Sequence, residues 1–232
     1  MCFSPTVSFA SGAVLTVIGS TALKNNSDPR QSWIASMPLM FGAQQIAEGF
    51  VWLQLAESEK VQASAAVLAF LGFALVIWPA FVPWAVYRVE TDFYRKKILL
   101  VTGGLGIGVG MSTAWLLLTA APEAYVAGHS VGYRFTNWGT RLLPPNLEFI
   151  SYIVPSLFPF FISSRPWVRT TGFLIFGGMS LAMIVRHEAV TSVWCFFAAV
   201  VSSYIAWYIY GLSKAASTEK SGKHFRSPSY RG

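Results

Sequence analysis

The chain has 232 residues, of which 54% are hydrophobic and only 12% are charged, and its formal net charge is +7. A globule of this length cannot bury so much apolar surface away from water, so the composition excludes a water-soluble fold and predicts a membrane protein. Membrane topology and anionic inner-leaflet lipids account for the excess of basic residues, so the charge does not predict a nucleic-acid partner.

Seven apolar segments follow one another along the chain, each of about the length that crosses a bilayer as a helix. The stretches 67–86 and 98–120 are apolar on every face, whereas the strands of a membrane barrel alternate apolar and polar residues. The sequence therefore predicts an all-α fold, a bundle of seven transmembrane helices within residues 1–212, at about 5–23, 31–56, 62–87, 96–120, 146–163, 166–185 and 190–212.

The distribution of basic residues predicts the orientation of this bundle. Every Lys and Arg lies in the tail or in a loop that follows an odd-numbered segment, except Lys60, Arg134, Arg141 and Arg186. By the positive-inside rule the N-terminus is outside and the C-terminus is cytoplasmic, in a multi-pass protein of the plasma (inner) membrane. Residues 213–232, which are rich in Ser, Lys, Gly and Arg, are expected to form a disordered cytoplasmic tail.

Two segments of the chain depart from a simple helical hairpin pattern. The connection 121–145 is far longer than most helix–helix loops, and we expect it on the outside, either as a lid over a site or as a spacer. The fourth segment carries the pairs Gly104/Gly108 and Gly106/Gly110, whose small-xxx-small spacing lets helix backbones approach closely, within the bundle or in a homo-oligomer or membrane complex.

Glu48 is the residue that points most directly to function. It lies about eight residues from the outer end of the second segment, roughly 12 Å deep, where a carboxylate is costly unless it is paired, hydrated or protonated. Gln44, Gln45 and Trp52 fall on the same helical face as Glu48, because they are three or four residues away. The sequence therefore predicts a polar stripe that faces the bundle interior and forms a ligand-binding site.

Other reactive side chains are predicted at the same outer depth. Cys2 is near the outer N-terminus, His187 is in the turn before the seventh segment, and Cys195 lies inside that segment. The two thiols are compatible with a disulfide, with separate structural roles, or, together with His187 and Glu48, with a metal site. Cys2 is also a candidate nucleophile. No spacing of these residues singles out one alternative, so catalytic residues, metal and cofactor stay unassigned.

Four motifs in the chain resemble those of a known family. They are Met1-Cys-Phe-Ser4, Phe41-Gly-Ala-Gln-Gln-Ile-Ala-Glu-Gly-Phe-Val-Trp52, Trp78-Pro79 and Ser192-Val-Trp-Cys-Phe-Phe197. In this order they are similar to an uncharacterised family of largely bacterial polytopic membrane proteins that begin Met-Cys-Phe-Ser. The resemblance implies a seven-helix membrane fold and a shared role for Cys2, Gln45, Glu48, Trp52 and Cys195, but no substrate or cofactor.

Three functions are compatible with these features. The leading hypothesis is an outward-facing polar pocket around Glu48 that binds a small solute or ion for transport or sensing. The first alternative is an intramembrane enzyme that uses a Cys nucleophile or a metal bound by Cys, His and Glu. The second alternative is a non-catalytic subunit of a membrane complex, assembled through the glycine-rich fourth segment.

Overall fold

The structure, a computed structural model, describes residues 4–128, 130–135, 144–185, 197, 200–211 and 214. Over these residues the chain is mostly helical, as predicted. Its helices are α1 (Pro5–Lys24), α2 (Ser32–Glu57), α3 (Ala65–Val89), α4 (Phe93–Thr119), α5 (Pro145–Ile162), α6 (Pro166–Val185) and α7 (200–211), with a short 3₁₀ turn at Pro29–Gln31. The predicted tail lies outside the described residues apart from Lys214.

The starts of α1 and α4 are fixed by side-chain caps. Ser4 caps α1, since its hydroxyl accepts a hydrogen bond from the Val7 N–H at 3.3 Å, and Pro5 occupies the first helical position. Asp92 caps α4 in the same way, through the Arg95 N–H at 2.9 Å. Because Asp92 is the cap, α4 starts at Phe93, three residues before the predicted start at 96. Arg95 therefore lies in the first turn of the helix and not in the preceding loop.

Three short strands make the fold more than a helical bundle. The strands β1 (Lys60–Gln62), β2 (Pro122–Ala127) and β3 (Ser130–Phe135) form an antiparallel sheet in the order β1-β2-β3. The expectation of an all-α fold is therefore wrong for this region. Most of the predicted loop 121–145 forms the hairpin β2–β3, and β1, which precedes α3, pairs with β2. Residues 136–143 of that loop lie outside the described residues.

The sheet covers one end of the helices, here called the sheet end. Ala124 and Val131 are fully buried in a cluster with Trp52 and Phe70, and Tyr133 stacks on Phe70 with ring centroids 4.9 Å apart. The hairpin β2–β3 thus packs over the ends of α2 and α3.

The opposite end, here called the basic end, brings together the loops before α2, α4 and α6. The Ser164 N–H and hydroxyl bind the Glu90 carboxylate, and Arg165 Nε donates to the Val89 carbonyl at 3.2 Å. The connections α1–α2, α3–α4 and α5–α6 therefore lie at the same end of the described structure, with Arg30 in the first and Arg165 in the last.

Close backbone contacts hold the helices together. α1 packs along α2, where a methyl group at Gly12 would lie 3.1 Å from the Gly42 carbonyl. A methyl group at Gly106 of α4 would lie 1.9 Å from the Pro79 carbonyl of α3, whereas one at Gly104 or Gly108 would contact no described residue. Of the two glycine pairs predicted for close packing, only Gly106/Gly110 is used within the described chain.

Three of the helices, α1, α3 and α4, are long and apolar enough to cross a membrane. α2 is equally long but includes several Gln and Glu residues. Its polar residues are the starting point for the site.

Candidate functional site: a buried polar stripe and an adjoining cavity

Three polar side chains of α2 are buried on one helical face. Gln44 and Gln45 are each 1% exposed and Glu48 is 0% exposed. Gln45 Nε2 donates a hydrogen bond to Glu48 Oε2 at 3.2 Å. The spacing of three and four residues puts these groups on adjacent turns, so the helix itself positions the carboxylate beside the amides.

Gln44 links this stripe to α3. The indole Nε1 of Trp78 donates to Gln44 Oε1 at 2.9 Å, and the Trp78 ring stacks on Phe41 with centroids 4.2 Å apart. The stacked ring fixes the indole, and the indole N–H fixes the orientation of the amide. Gln44 is therefore a preorganised polar group in an apolar part of the bundle.

α3 has a helical defect just before Trp78, the residue that binds Gln44. Residues Gly72–Ile77 form a π-helical segment, in which the Trp78 N–H donates to the Phe73 carbonyl five residues earlier. The next donor in this register would serve the Ala74 carbonyl, but residue 79 is proline and has no N–H. The Tyr152 hydroxyl of α5 replaces it, donating to the Ala74 carbonyl at 2.7 Å. A side chain from another helix thus completes the broken helical ladder.

A cavity of about 530 Å³ lies between the helices at this defect. Its wall is mostly apolar, and its described polar members are Gln44, Trp78, Ser112, Thr113, Glu148, Ser151, Tyr152 and Ser156. The cavity extends from Met37 and Val82, deep in the bundle, to Phe135 of β3 and Glu148 at the start of α5. This volume and this mixture of apolar wall and few polar groups are typical of small-molecule sites.

The predicted site residues are only partly brought together. Gln44 lines the cavity, whereas Gln45, Glu48 and Trp52 are not among its described lining residues. Trp52 lies one turn beyond Glu48 and packs with Ala47 and Leu55 under the sheet. Of the buried polar stripe, only the Gln44 amide therefore lines the described cavity, and Gln45 and Glu48 lie on the same helical face without lining it.

The reactive residues Cys2, His187 and Cys195 lie outside the described residues, so their distances to Glu48 are not part of this geometry. Within the described part of the chain, no three His, Cys, Asp or Glu side chains are grouped closely enough to hold a metal ion. The metal and nucleophile hypotheses therefore stay predictions that depend on those three residues.

Sequence reasoning missed a second buried carboxylate, Glu90, at the basic end. Its oxygens accept hydrogen bonds from the N–H groups of Thr91, Asp92 and Ser164 and from the Ser164 hydroxyl, at 2.5–2.9 Å. Burial alone would raise its pKa, but these hydrogen bonds lower the pKa of Glu90 to about 2. The signal in the sequence was Glu90-Thr-Asp92 directly after an apolar segment, typical of a side chain that caps its own turn.

The comparisons with known proteins place the chain in a family. No curated protein and no solved structure matches it. The family described as a family of unknown function (DUF6629) matches residues 1–220. This match includes α1–α7, the sheet and the cavity, and it confirms the predicted membership of an uncharacterised family: the chain belongs to DUF6629.

Proposed function

We propose that the protein is a multi-pass membrane protein in which seven helices cross the bilayer, with the sheet end outside and the basic end in the cytoplasm. The alternating helix directions and the collection of basic loop residues at one end support this orientation. The outward face of α4 supports the insertion in the bilayer, since Met111 is 70% exposed and Val101 and Leu118 are also exposed. In a bilayer these apolar side chains contact lipid instead of water.

We further propose that the central cavity binds a small solute or ion for transport or sensing. The observation that carries this proposal is Gln44, a buried amide that lines the cavity and is held in place by Trp78. A buried polar group in an apolar wall fixes the orientation of a ligand and supplies its specificity. The described lining reaches the sheet end at Phe135 and Glu148, which favours entry from outside.

Glu48 acts in this proposal through its neighbours. It binds Gln45 directly and lies one turn from Gln44, so a change of its charge alters the field at the amide that meets the ligand. Replacing Glu48 with Gln is expected to weaken ligand binding and to abolish any proton dependence that accompanies it. Ligand binding by the Glu48→Gln variant that matches the parent protein across pH would contradict this role.

Cysteine accessibility tests the cavity and the membrane placement together. In a Cys2→Ser/Cys195→Ser background, Thr113→Cys places a thiol on the cavity wall, and Met111→Cys places one at a similar depth on the outward face of the same helix. We expect a cationic, membrane-impermeant methanethiosulfonate added outside intact cells to modify Thr113→Cys and to leave Met111→Cys unmodified.

Each other outcome contradicts part of the proposal. Modification of Met111→Cys means that this face meets water and not lipid. Modification of Thr113→Cys only from the cytoplasmic side reverses the direction of the cavity, and no modification from either side means that the cavity is sealed.

A second candidate function, a subunit of a larger membrane complex, is favoured by the unfilled face of α4. Methyl groups at Gly104 and Gly108 would contact no described residue, so this face can receive another helix closely. Purification in mild detergent tests this function. Co-purifying chains, or a homo-oligomer that Gly104→Leu dissociates, would support it, and a monomer in lipid nanodiscs would contradict it.

A further inference from the structure

A second, smaller cavity lies at the basic end, separate from the central one. It has a volume of about 210 Å³ and lies between the turn before α2, the end of α3, the start of α6 and α7. Its wall includes Arg30, Gln31, Arg165, Trp167 and Tyr208. The rings of Trp167 and Tyr208 stack with centroids 5.0 Å apart, so the cavity has an aromatic part as well as the two arginines.

Arg165 is oriented for an external anion. Its Nε donates to the Val89 carbonyl at 3.2 Å, which fixes the guanidinium. Its two Nη groups make no hydrogen bond or ion pair to any described residue. The five N–H groups of arginine form a planar fork that matches a phosphate or carboxylate. The half-buried Arg165 therefore presents a fixed pair of donors to the cavity.

The charges around the cavity favour an anion. Asp28 also lies in the wall, but Arg30 binds it through Nε at 3.1 and 3.2 Å and Nη2 at 2.9 Å. Among the charged side chains that line the cavity, two arginines against one aspartate leave a net charge of +1. Glu90, which binds Ser164 next to Arg165, keeps its negative charge, but it is not among the described lining residues. In addition, α6 begins at Pro166 in this wall, and the start of a helix carries partial positive charge.

Aromatic and basic residues around the cavity are arranged as at a membrane–water interface. The Arg88 guanidinium lies 5.7 Å from the Trp33 ring centroid, and Lys96 Nζ lies 5.1 Å from that of Tyr87. Trp207 of α7 is 70% exposed one residue before Tyr208. Such residues mark the headgroup level of a bilayer, and basic pockets between helices on the cytoplasmic side suit anionic headgroups.

We propose that this cavity binds the phosphate of an anionic phospholipid headgroup in the cytoplasmic leaflet. The Arg165 fork binds the phosphate oxygens, the glycerol part of the headgroup lies against Trp167 and Tyr208, and the acyl chains lie along the outer face of α7. The site depends on the membrane insertion proposed above, and it is independent of the solute cavity.

The test compares two arginines of the same helix end. Full-length protein in detergent is titrated with dioleoyl phosphatidylglycerol or dioleoyl phosphatidylcholine, and bound lipid is counted by native mass spectrometry. Arg165→Gln removes the fork, whereas Arg169→Gln removes the same charge from an exposed position one turn later, outside the cavity. We expect Arg165→Gln to lower phosphatidylglycerol affinity about tenfold and Arg169→Gln to leave it near that of the parent protein.

A variant that is expected to raise the affinity controls for misfolding, because a misfolded protein would lose affinity and not gain it. Asp28→Asn removes the competing carboxylate, so it is expected to raise phosphatidylglycerol affinity. Equal losses in Arg165→Gln and Arg169→Gln, equal binding of phosphatidylcholine, or no gain in Asp28→Asn would overturn the site. Displacement of the lipid by millimolar inorganic phosphate would show that the cavity takes free phosphate and would overturn the lipid assignment, while leaving the solute cavity untouched.

Discussion

Replacing Glu90 with glutamine is expected to destabilise the protein by about 3 kcal/mol at neutral pH. The carboxylate accepts four hydrogen bonds that join the loop before α4 to the loop before α6. Its pKa falls from 4.5 to about 2 on folding, and each tenfold change in proton affinity corresponds to about 1.4 kcal/mol of folding free energy. Glutamine has one acceptor oxygen and presents an NH₂ group to the remaining N–H donors.

The pH dependence has a definite sign. Because the folded pKa lies below the unfolded one, the stabilisation by Glu90 is complete above about pH 4.5 and is lost as the pH falls to about 2. Unfolding in mixed micelles, followed by tryptophan fluorescence at pH 2–7, measures both effects. The parent protein should lose stability in this range more steeply than Glu90→Gln, and the exposed Glu59→Gln variant serves as the control. A Glu90→Gln variant as stable as the parent at pH 7, with the same acid profile, would refute the reasoning.

Three further predictions use the same unfolding measurement. Gly106→Ala should lower the free energy of unfolding by about 1–3 kcal/mol, because the added methyl group meets the Pro79 backbone. Gly104→Ala, where the methyl group has open space, should be neutral or slightly stabilising. Equal effects of the two substitutions would contradict the observed α3–α4 contact. Tyr152→Phe should cost about 1–3 kcal/mol, because the Ala74 carbonyl loses its donor, whereas the exposed Tyr94→Phe should cost nothing measurable. Arg134→Gln breaks the ion pair with Glu123, which should matter by less than about 1 kcal/mol because Arg134 is largely exposed; a larger loss would mean that the sheet depends on this pair.

The positions of the helices could be predicted from sequence because length and apolar composition carry that information directly. α1 and α2 begin and end within a residue of the predicted 5–23 and 31–56, and α6 begins at the predicted residue 166. The start of α4 differs from the predicted residue 96 because its first turn is basic, and basic residues are typical of loops between membrane helices. An N-cap such as Asp92 is decided by one hydrogen bond that hydropathy does not register.

The hairpin in the long connection could have been found in the sequence. Residues 124–135 read Ala-Tyr-Val-Ala-Gly-His-Ser-Val-Gly-Tyr-Arg-Phe, with aromatic and β-branched residues on both sides of Gly128, which adopts a left-handed φ of 64°. Pairing of β2 with β1 could not be predicted, since three residues at Lys60–Gln62 give no signal of their own.

The burial of the polar stripe could be predicted from the sequence, but its position relative to the cavity could not. The spacing of Gln44, Gln45 and Glu48 correctly indicated one buried stripe. The helical period and the free-energy cost of placing these polar side chains against lipid both follow from the local sequence. Which of the three meets the cavity depends on Trp78 and on Tyr152, which are 34 and 108 residues from Gln44. Pro79 has no N–H, so the sequence alone shows that one helical hydrogen bond of α3 is missing. The Tyr152 donor that replaces it comes from another helix.

In the membrane topology proposed above, the buried stripe of α2 has a consequence for how the chain is inserted. A helix with Glu48 and two glutamines at its middle partitions poorly into lipid when alone, since charged residues at a helix centre cost about 2.5–3.5 kcal/mol during insertion. α1 is apolar enough to insert first, and α2 packs along its whole length. The two helices would therefore insert as a pair. A larger residue at Gly12, which would separate α1 from α2, should then prevent insertion of the chain and not only ligand binding.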